Sequence, residues 1–173
     1  MTTTTPLSTG QHKTSDKRPL LLLLAALVVV ADRLSKLWIV HHINPGYAIT
    51  VIPGVFRLTH VLNTGAAFSL FESFSPIVVR DSLVAFSIIA ILIVLAMLWR
   101  VGRELSLTGI ALALILGGAA GNLYDRLRFS HVVDFLEVHI VHYHWPDFNI
   151  ADSCIVIGAC LLLIEIFRPQ SQS

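Results

Sequence analysis

The sequence predicts an all-α membrane protein, four transmembrane helices with a small extracytoplasmic β-sheet. Three observations predict it. Apolar residues make up 55% of the chain and charged residues only 13%, against roughly 25% charged in soluble domains, so lipid must be part of the solvent. Four apolar runs each approach the ~20 residues that cross a hydrocarbon core of ~30 Å. Two short segments between the runs alternate along the chain with period two, the pattern of strands.

Residues 1–18 are polar and rich in Thr, Ser and Lys, a composition that buries too little apolar surface to order itself, and they are expected to form a disordered cytoplasmic tail. One membrane domain then fills residues 19–168. Its first span covers residues 19–41. The uncharged stretch Leu20 to Ala31 follows a basic segment, as in a cleaved leader, but Val28-Val29-Val30-Ala31-Asp32 is a poor cleavage site and three more spans follow, so a retained helix is expected. Spans at 82–99, 105–124 and 150–167 complete the set. Backbone groups find no water in the hydrocarbon core, which makes helices the expected form. Between them, Phe56, Leu58, His60 and Leu62 alternate with Val55, Arg57, Thr59 and Val61, and Leu136, Val138 and Ile140 alternate with Glu137, His139 and Val141. Residues 169–173 are left as a C-terminal tail.

Four spans put both termini on one side. Lys13, Lys17, Arg18, Arg100, Arg103 and Arg168 flank the span ends there, which predicts that side to be the cytoplasm. The net charge of +1 supplies no basic field for nucleic acid. Cys154 and Cys160, inside an apolar run, read as small apolar residues of a helix.

The polar residues near the spans carry the functional signal, because an ionisable group there is costly. Asp32, Asp125, Asp134 and Asp152 all fall at the outer side. Asn122, Asp125 and Arg126 share one helical face, as do Asn149 with Asp152 and Asp32 with Lys36. Each has a simpler reading. Asn149 and Asp152 fit a capping box, Asp32 and Lys36 a helix-surface ion pair, Arg126 an interfacial anchor, and Gly117 to Gly121 a close helix–helix contact. Asp134 is hardest to explain that way. It is expected in a short outer link between Val132, Val133, Phe135 and Leu136, where apolar surroundings raise a carboxyl pKa. Two carboxylates brought close divide the labour, one holding a proton and one ionised, which is the arrangement for activating water. His139, His142 and His144, with Asp147, invite a zinc reading. On one continuous strand, however, His142 and His144 lie on one face and His139 on the other, and the spacing matches no zinc pattern, so no metal is expected. The rival readings are a small proton- or cation-coupled transporter and a non-catalytic assembly protein.

Five blocks then carry a resemblance. Asp32-Arg33-Leu34-Ser35-Lys36, Asn63-Thr64-Gly65-Ala66-Ala67-Phe68, Gly121-Asn122-Leu123-Tyr124-Asp125-Arg126, Val132-Val133-Asp134-Phe135 and Phe148-Asn149-Ile150-Ala151-Asp152-Ser153 stand in that order on the four spans. In this the chain resembles the bacterial lipoprotein signal peptidases, signal peptidase II, over about residues 19–168. It departs at Arg33, where the family has Gln. The resemblance implies an aspartic endopeptidase of the inner membrane that removes the signal peptide of prolipoproteins just before a diacylglyceryl-modified cysteine. It places the catalytic pair at Asp134 and Asp152. It places the substrate-binding residues at Asp32, Lys36, Asn63, Gly65, Asn122, Asp125, Arg126, Asn149 and Ala151. It implies no cofactor and no metal, a substrate cradled by the small sheet, inhibition by globomycin-type antibiotics, membrane lipid as a partner, a monomer, both termini cytoplasmic and an active site near the outer face. The stretch Asn63 to Phe74 is the candidate lid.

Overall fold

The computed structural model describes residues 15–65, 75–140 and 143–168. The polar tail at 1–14, the C-terminal residues 169–173, most of the candidate lid (66–74) and His142 lie outside the described residues. In chain order the elements are α1 (Arg18–His42), β1 (Ala48–Ile52), β2 (Phe56–Asn63), α2 (Pro76–Val101), α3 (Leu107–Phe129), β3 (Val132–Ile140), β4 (Tyr143–His144) and α4 (Ile150–Phe167).

Local chemistry sets the helix ends. Prolines open α1 and α2, where the missing N–H costs no helical bond. Ser75, Ser106 and Asn149 cap α2, α3 and α4 by accepting from Val78 N, Gly109 N and Asp152 N, which satisfies donors otherwise orphaned in the first turn. Ser130 ends α3 in the left-handed conformation, φ 65°.

Helix α3 is the centre of the bundle and packs against α1, α2 and α4. Its small residues permit this. A Cβ on Gly117 would lie 2.6 Å from Ala25 O of α1, and one on Gly118 would lie 2.4 Å from Ala151 O of α4. Neither distance is tolerable for a side chain, so glycine sets how closely both neighbours approach. The outer faces are apolar and uncovered: α2, α3 and α4 are each long and apolar enough to cross a membrane, and Phe86, Leu92, Ile164 and Ile166 are exposed on α2 and α4. Helix α1 is as long but carries Asp32, Arg33 and Lys36. Asp32 and Lys36 are buried, 1% and 0% exposed, so they turn into the bundle and away from its outer surface.

The four strands form one antiparallel sheet in the order β1-β2-β3-β4. It sits at the end of the bundle where α1 and α3 finish and α2 and α4 begin. Ile39 of α1 and Ile43 just beyond its end pack there against Val133 and Phe135 of β3, and Ile43 O pairs with the ring nitrogen of His60 at 2.6 Å. The opposite end gathers Lys17, Arg18, Arg100 and Arg103; Lys17 N donates to Arg103 O at 3.2 Å.

Three expectations need correction here. Asp134 lies on a strand, because β3 begins at Val132. Residues Val132 to Phe135 are buried on both faces, which erases the alternation that would have announced them. Strand β1 was not expected: all five of its residues are exposed, so no face pattern is imposed on it. Finally, the segment at 136–144 is a hairpin and not one strand. Its chain reverses after Ile140, so His139 pairs directly with His144 and the two rings share a face, their centroids 4.9 Å apart.

Candidate active site

Strand β3 and the start of α4 meet because Phe148 bridges to Leu136: Leu136 N donates to Phe148 O at 2.8 Å and Phe148 N to Leu136 O at 3.1 Å. This bridge delivers Asn149 beside Asp134. The Asn149 side-chain amide donates to Asp134 Oδ1 at 2.7 Å. Its side-chain oxygen accepts from Asp152 N at 2.9 Å, and its backbone N–H donates to Asp152 Oδ2 at 3.3 Å. The expected capping box is therefore present, and it also ties the two aspartates together through one residue.

Asp134, 2% exposed, takes its second hydrogen bond from Asn63 Nδ2 at 2.9 Å. Asn63 is held in turn by Gly65, whose N–H donates to Asn63 Oδ1 at 2.7 Å. Gly65 stands at φ +99°, a conformation few side chains tolerate. Burial first of all, and the nearby charge of Asp152, raise the Asp134 pKa to about 6; the hydrogen bonds from Asn63 and Asn149 and the charge of Lys36 pull the other way.

Beneath this pair lies a second, charge-balanced layer. Lys36 Nζ donates to Asp32 Oδ2 at 2.7 Å and to Asn122 Oδ1 at 3.0 Å. It also lies 2.7 Å from Asp125 Oδ2, an ion pair outside hydrogen-bond angles, since that oxygen has no hydrogen-bond partner. Arg33 Nη1 reaches Asp125 Oδ1 at 3.2 Å, with its guanidinium over the Phe129 and Tyr124 rings. Two cations thus face two carboxylates. Asp32 Oδ1 accepts from Ala151 N at 3.0 Å, which docks the start of α4 onto α1. Gly121 makes room for this: a Cβ there would lie 2.9 Å from Asp32 Oδ2. Asn122 joins the layers, its Nδ2 donating to Asp152 Oδ1 at 2.8 Å.

The structure thus brings nearly all the sequence-predicted site residues into one network: Asp32, Lys36, Asn63, Gly65, Asn122, Asp125, Asp134, Asn149, Ala151 and Asp152. Arg126 stands slightly apart. It is half-buried, feels the charges of Asp152, Asp134 and Asp125, and has no side-chain hydrogen bond among the described residues. Arg33, where the family pattern has Gln, contributes the second cation of the lower layer.

A cleft of about 460 Å³ opens beside Asp134, between Leu62, Asn63 and Thr64 of the β2 end and His144 and Asp147 before α4. The sequence reading missed this wall. Asp147 is fixed by Thr59 Oγ1 at 2.5 Å, and His144 reaches the cleft only because the hairpin turns, a reversal that one-strand alternation hides.

A bundle of apolar-surfaced helices holding hydrogen-bond-linked carboxylates beside an open cleft defines a class of membrane proteins built for proton chemistry, whether to move protons or to activate water. The comparisons with known proteins name the family. The family model described as Signal peptidase (SPase) II matches residues 24–168, and the chain belongs to that family, as an aspartic peptidase of signal peptidase II type. It is 40% identical to the lipoprotein signal peptidase of Solibacter usitatus (strain Ellin6076) over 86% of this chain and 91% of that one. It is 39% identical to the lipoprotein signal peptidase of Syntrophus aciditrophicus (strain SB) over 90% and 98%. Among solved structures, a bacterial membrane enzyme determined by the in meso method at 1.9 Å resolution superposes with a TM-score of 0.80 at 28% identity, covering 92% of this chain and all of that one. The transporter reading finds no support in these relatives.

Proposed function

We propose that this protein crosses the bacterial inner membrane four times, with both termini in the cytoplasm, and removes the signal peptide from diacylglyceryl-modified prolipoproteins by cutting just before the lipidated cysteine. The observation that carries the reading is the double engagement of Asn149 with Asp134 and Asp152. It couples two carboxylates from different elements at the end of the bundle away from the Lys and Arg cluster, and so at the outer membrane surface.

In this mechanism Asp134 and Asp152 are the catalytic pair and share one proton. The ionised carboxylate takes a proton from water as the water oxygen attacks the scissile carbonyl, and the protonated carboxyl donates a hydrogen bond to that carbonyl oxygen. When the C–N bond breaks, the departing amine takes a proton from the pair, which restores the starting state. The two roles belong to the pair jointly and can exchange as the amine leaves. Asn63, Gly65, Asn122 and Asn149 hold the carboxylates in place. Lys36, Asp32, Asp125 and Ala151 fix the helices that carry them, and Arg126 is free to take a substrate carbonyl. The cleft admits the extended chain around the cleavage site, while the signal helix and the acyl chains of the substrate stay in lipid. Globomycin-type inhibitors compete for the same cleft, and the enzyme works as a monomer.

The test is incubation of the purified full chain with one prolipoprotein in two forms, diacylglyceryl-modified and unmodified, followed by mass spectrometry. Cleavage of the modified form alone, leaving lipidated cysteine at the new N-terminus and blocked by globomycin, is expected. Equal cleavage of both forms, or a cut elsewhere, contradicts the reading.

A further inference from the structure

On the outer sheet, next to the cleft but outside the carboxylate network, three metal-ligating side chains converge. Glu137 and His139 are two apart on β3 and so share a face. His144 stands directly across from His139 on β4. Glu137 Oε1 and one ring nitrogen of each histidine all lie within 4.8 Å of one another. Glu137 Oε1 is 3.4 Å from His139 Nε2, and His144 Nε2 contacts the same oxygen.

The separation of Glu137 and His139 suits a metal ion, while His144 hydrogen-bonds the same carboxylate oxygen directly and would shift outward to ligate. A tetrahedral zinc ion with ligand bonds of about 2.1 Å separates neighbouring donor atoms by roughly 3.4 Å, which is the Glu137–His139 separation. His139 Nε2 is shielded from solvent and has no hydrogen-bond partner among the described residues. A shielded nitrogen aimed at a carboxylate, but outside hydrogen-bond geometry, is the unfinished valence that an ion completes. The carboxylate is ready for the role. The paired Arg57 contacts fix its orientation, as outer partners do for metal ligands. The charge of Arg57 opposes a cation, and Asp147, which Arg57 also senses, offsets it. Two imidazoles and one carboxylate are borderline donors that favour zinc-like ions over Mg²⁺ or Ca²⁺.

We infer that Glu137, His139 and His144 form a binding site for one divalent transition-metal ion of the zinc class, clasping the β3–β4 hairpin at the wall of the cleft. His144 belongs to both, so a bound ion fixes the position of a cleft-lining side chain. The site is separate from the carboxylate pair, and its existence does not depend on the peptidase mechanism.

The experiment titrates Zn²⁺ into the full chain, stripped of metal by chelator, in detergent, and records the visible spectrum of the Co²⁺-loaded protein. The expected result is one equivalent of Zn²⁺ bound at micromolar or tighter affinity, with intense Co²⁺ bands of a four-coordinate site. His139→Ala and Glu137→Gln should each weaken binding by at least the 10–100-fold that even the loss of an outer partner costs, while His41→Ala, on an exposed histidine of α1, leaves it unchanged. Circular dichroism checks the fold of each variant, and the Co²⁺ spectrum of the unaltered chain decides the matter if a variant fails to fold. Millimolar binding, a six-coordinate Co²⁺ spectrum, or folded His139→Ala protein that binds as tightly as the unaltered chain overturns the inference.

Discussion

Asn149 donates its side-chain amide to Asp134 at 2.7 Å while its side-chain oxygen caps the helix that carries Asp152. A helix cap and the alignment of two carboxylates are thereby one interaction. Substitutions at Asn149 separate the two roles. Asn149→Ala loses both the cap and the donor, and helix stability should fall by about 1 kcal/mol. Asn149→Asp keeps the cap but sets an anion against Asp134. Its melting temperature should stay above that of Asn149→Ala, and its kcat should fall by roughly 100-fold, the scale of a lost acid–base contribution. Melting curves and initial rates on a lipidated substrate check both.

The titration of Asp134 sets a pH limit. Its pKa of about 6 lies above the ordinary 3.8, so its proton is held at acid pH and lost as pH rises through about 6. A singly protonated pair is then depleted, and kcat/KM for the unliganded enzyme should decline on that alkaline limb. The donor from Asn63 favours the ionised form. Asn63→Ala therefore moves the limb to higher pH, a shift that a purely structural defect would not produce. The same raised pKa contributes stability that is complete below 3.8 and is lost as pH rises through about 6, and Asn63→Ala extends that window upward.

Lys36 is completely buried and faces Asp32 and Asp125. Lys36→Met removes the cation, leaving buried Asp32 without a counter-charge and Asp125 with Arg33 alone, a loss of about 3–5 kcal/mol. Folded yield and melting temperature should both collapse. Adding Asp32→Asn to Lys36→Met removes the stranded charge and should recover part of the loss, as a thermal melt of the double variant would show.

Close helix approach is needed for the site. In Gly118→Ala the new methyl would meet Ala151 O at 2.4 Å and push α4 away. Overpacking of this kind costs about 1–3 kcal/mol. Because Ala151 adjoins Asp152, kcat should drop along with the melting temperature. Gly46→Ala in the outer loop, where a Cβ meets nothing within 4 Å but φ is +81°, should cost stability while leaving kcat close to that of the unaltered chain.

Much of this was legible in the sequence, and the parts that were not have physical reasons. The stretch expected at 150–167 coincides with helix α4, long and apolar enough to cross a membrane, because Asn149 caps it and apolar residues fill it. The spans expected at 82–99 and 105–124 belong to longer helices, 76–101 and 107–129. Hydropathy registers the lipid-facing turns, whereas α3 continues through Asp125, Arg126 and Arg128, which hydropathy counts as a stop. The carboxylates were found because an ionisable group beside a span is conspicuous. Their wiring was not, since Asn149 reaches Asp134 only through the Phe148–Leu136 bridge. Nor was the facing of His139 and His144, which depends on a chain reversal that alternation does not encode.

The central claim is that Asp134 and Asp152 perform the cleavage as a pair. The most direct test compares turnover of a diacylglyceryl-modified prolipoprotein by the unaltered chain with turnover by Asp134→Asn and Asp152→Asn, each shown to be folded by its melting curve. The account predicts that the unaltered chain cuts and that both folded variants lose turnover by several orders of magnitude. A folded Asp134→Asn or Asp152→Asn protein that cuts at the unaltered rate would contradict it.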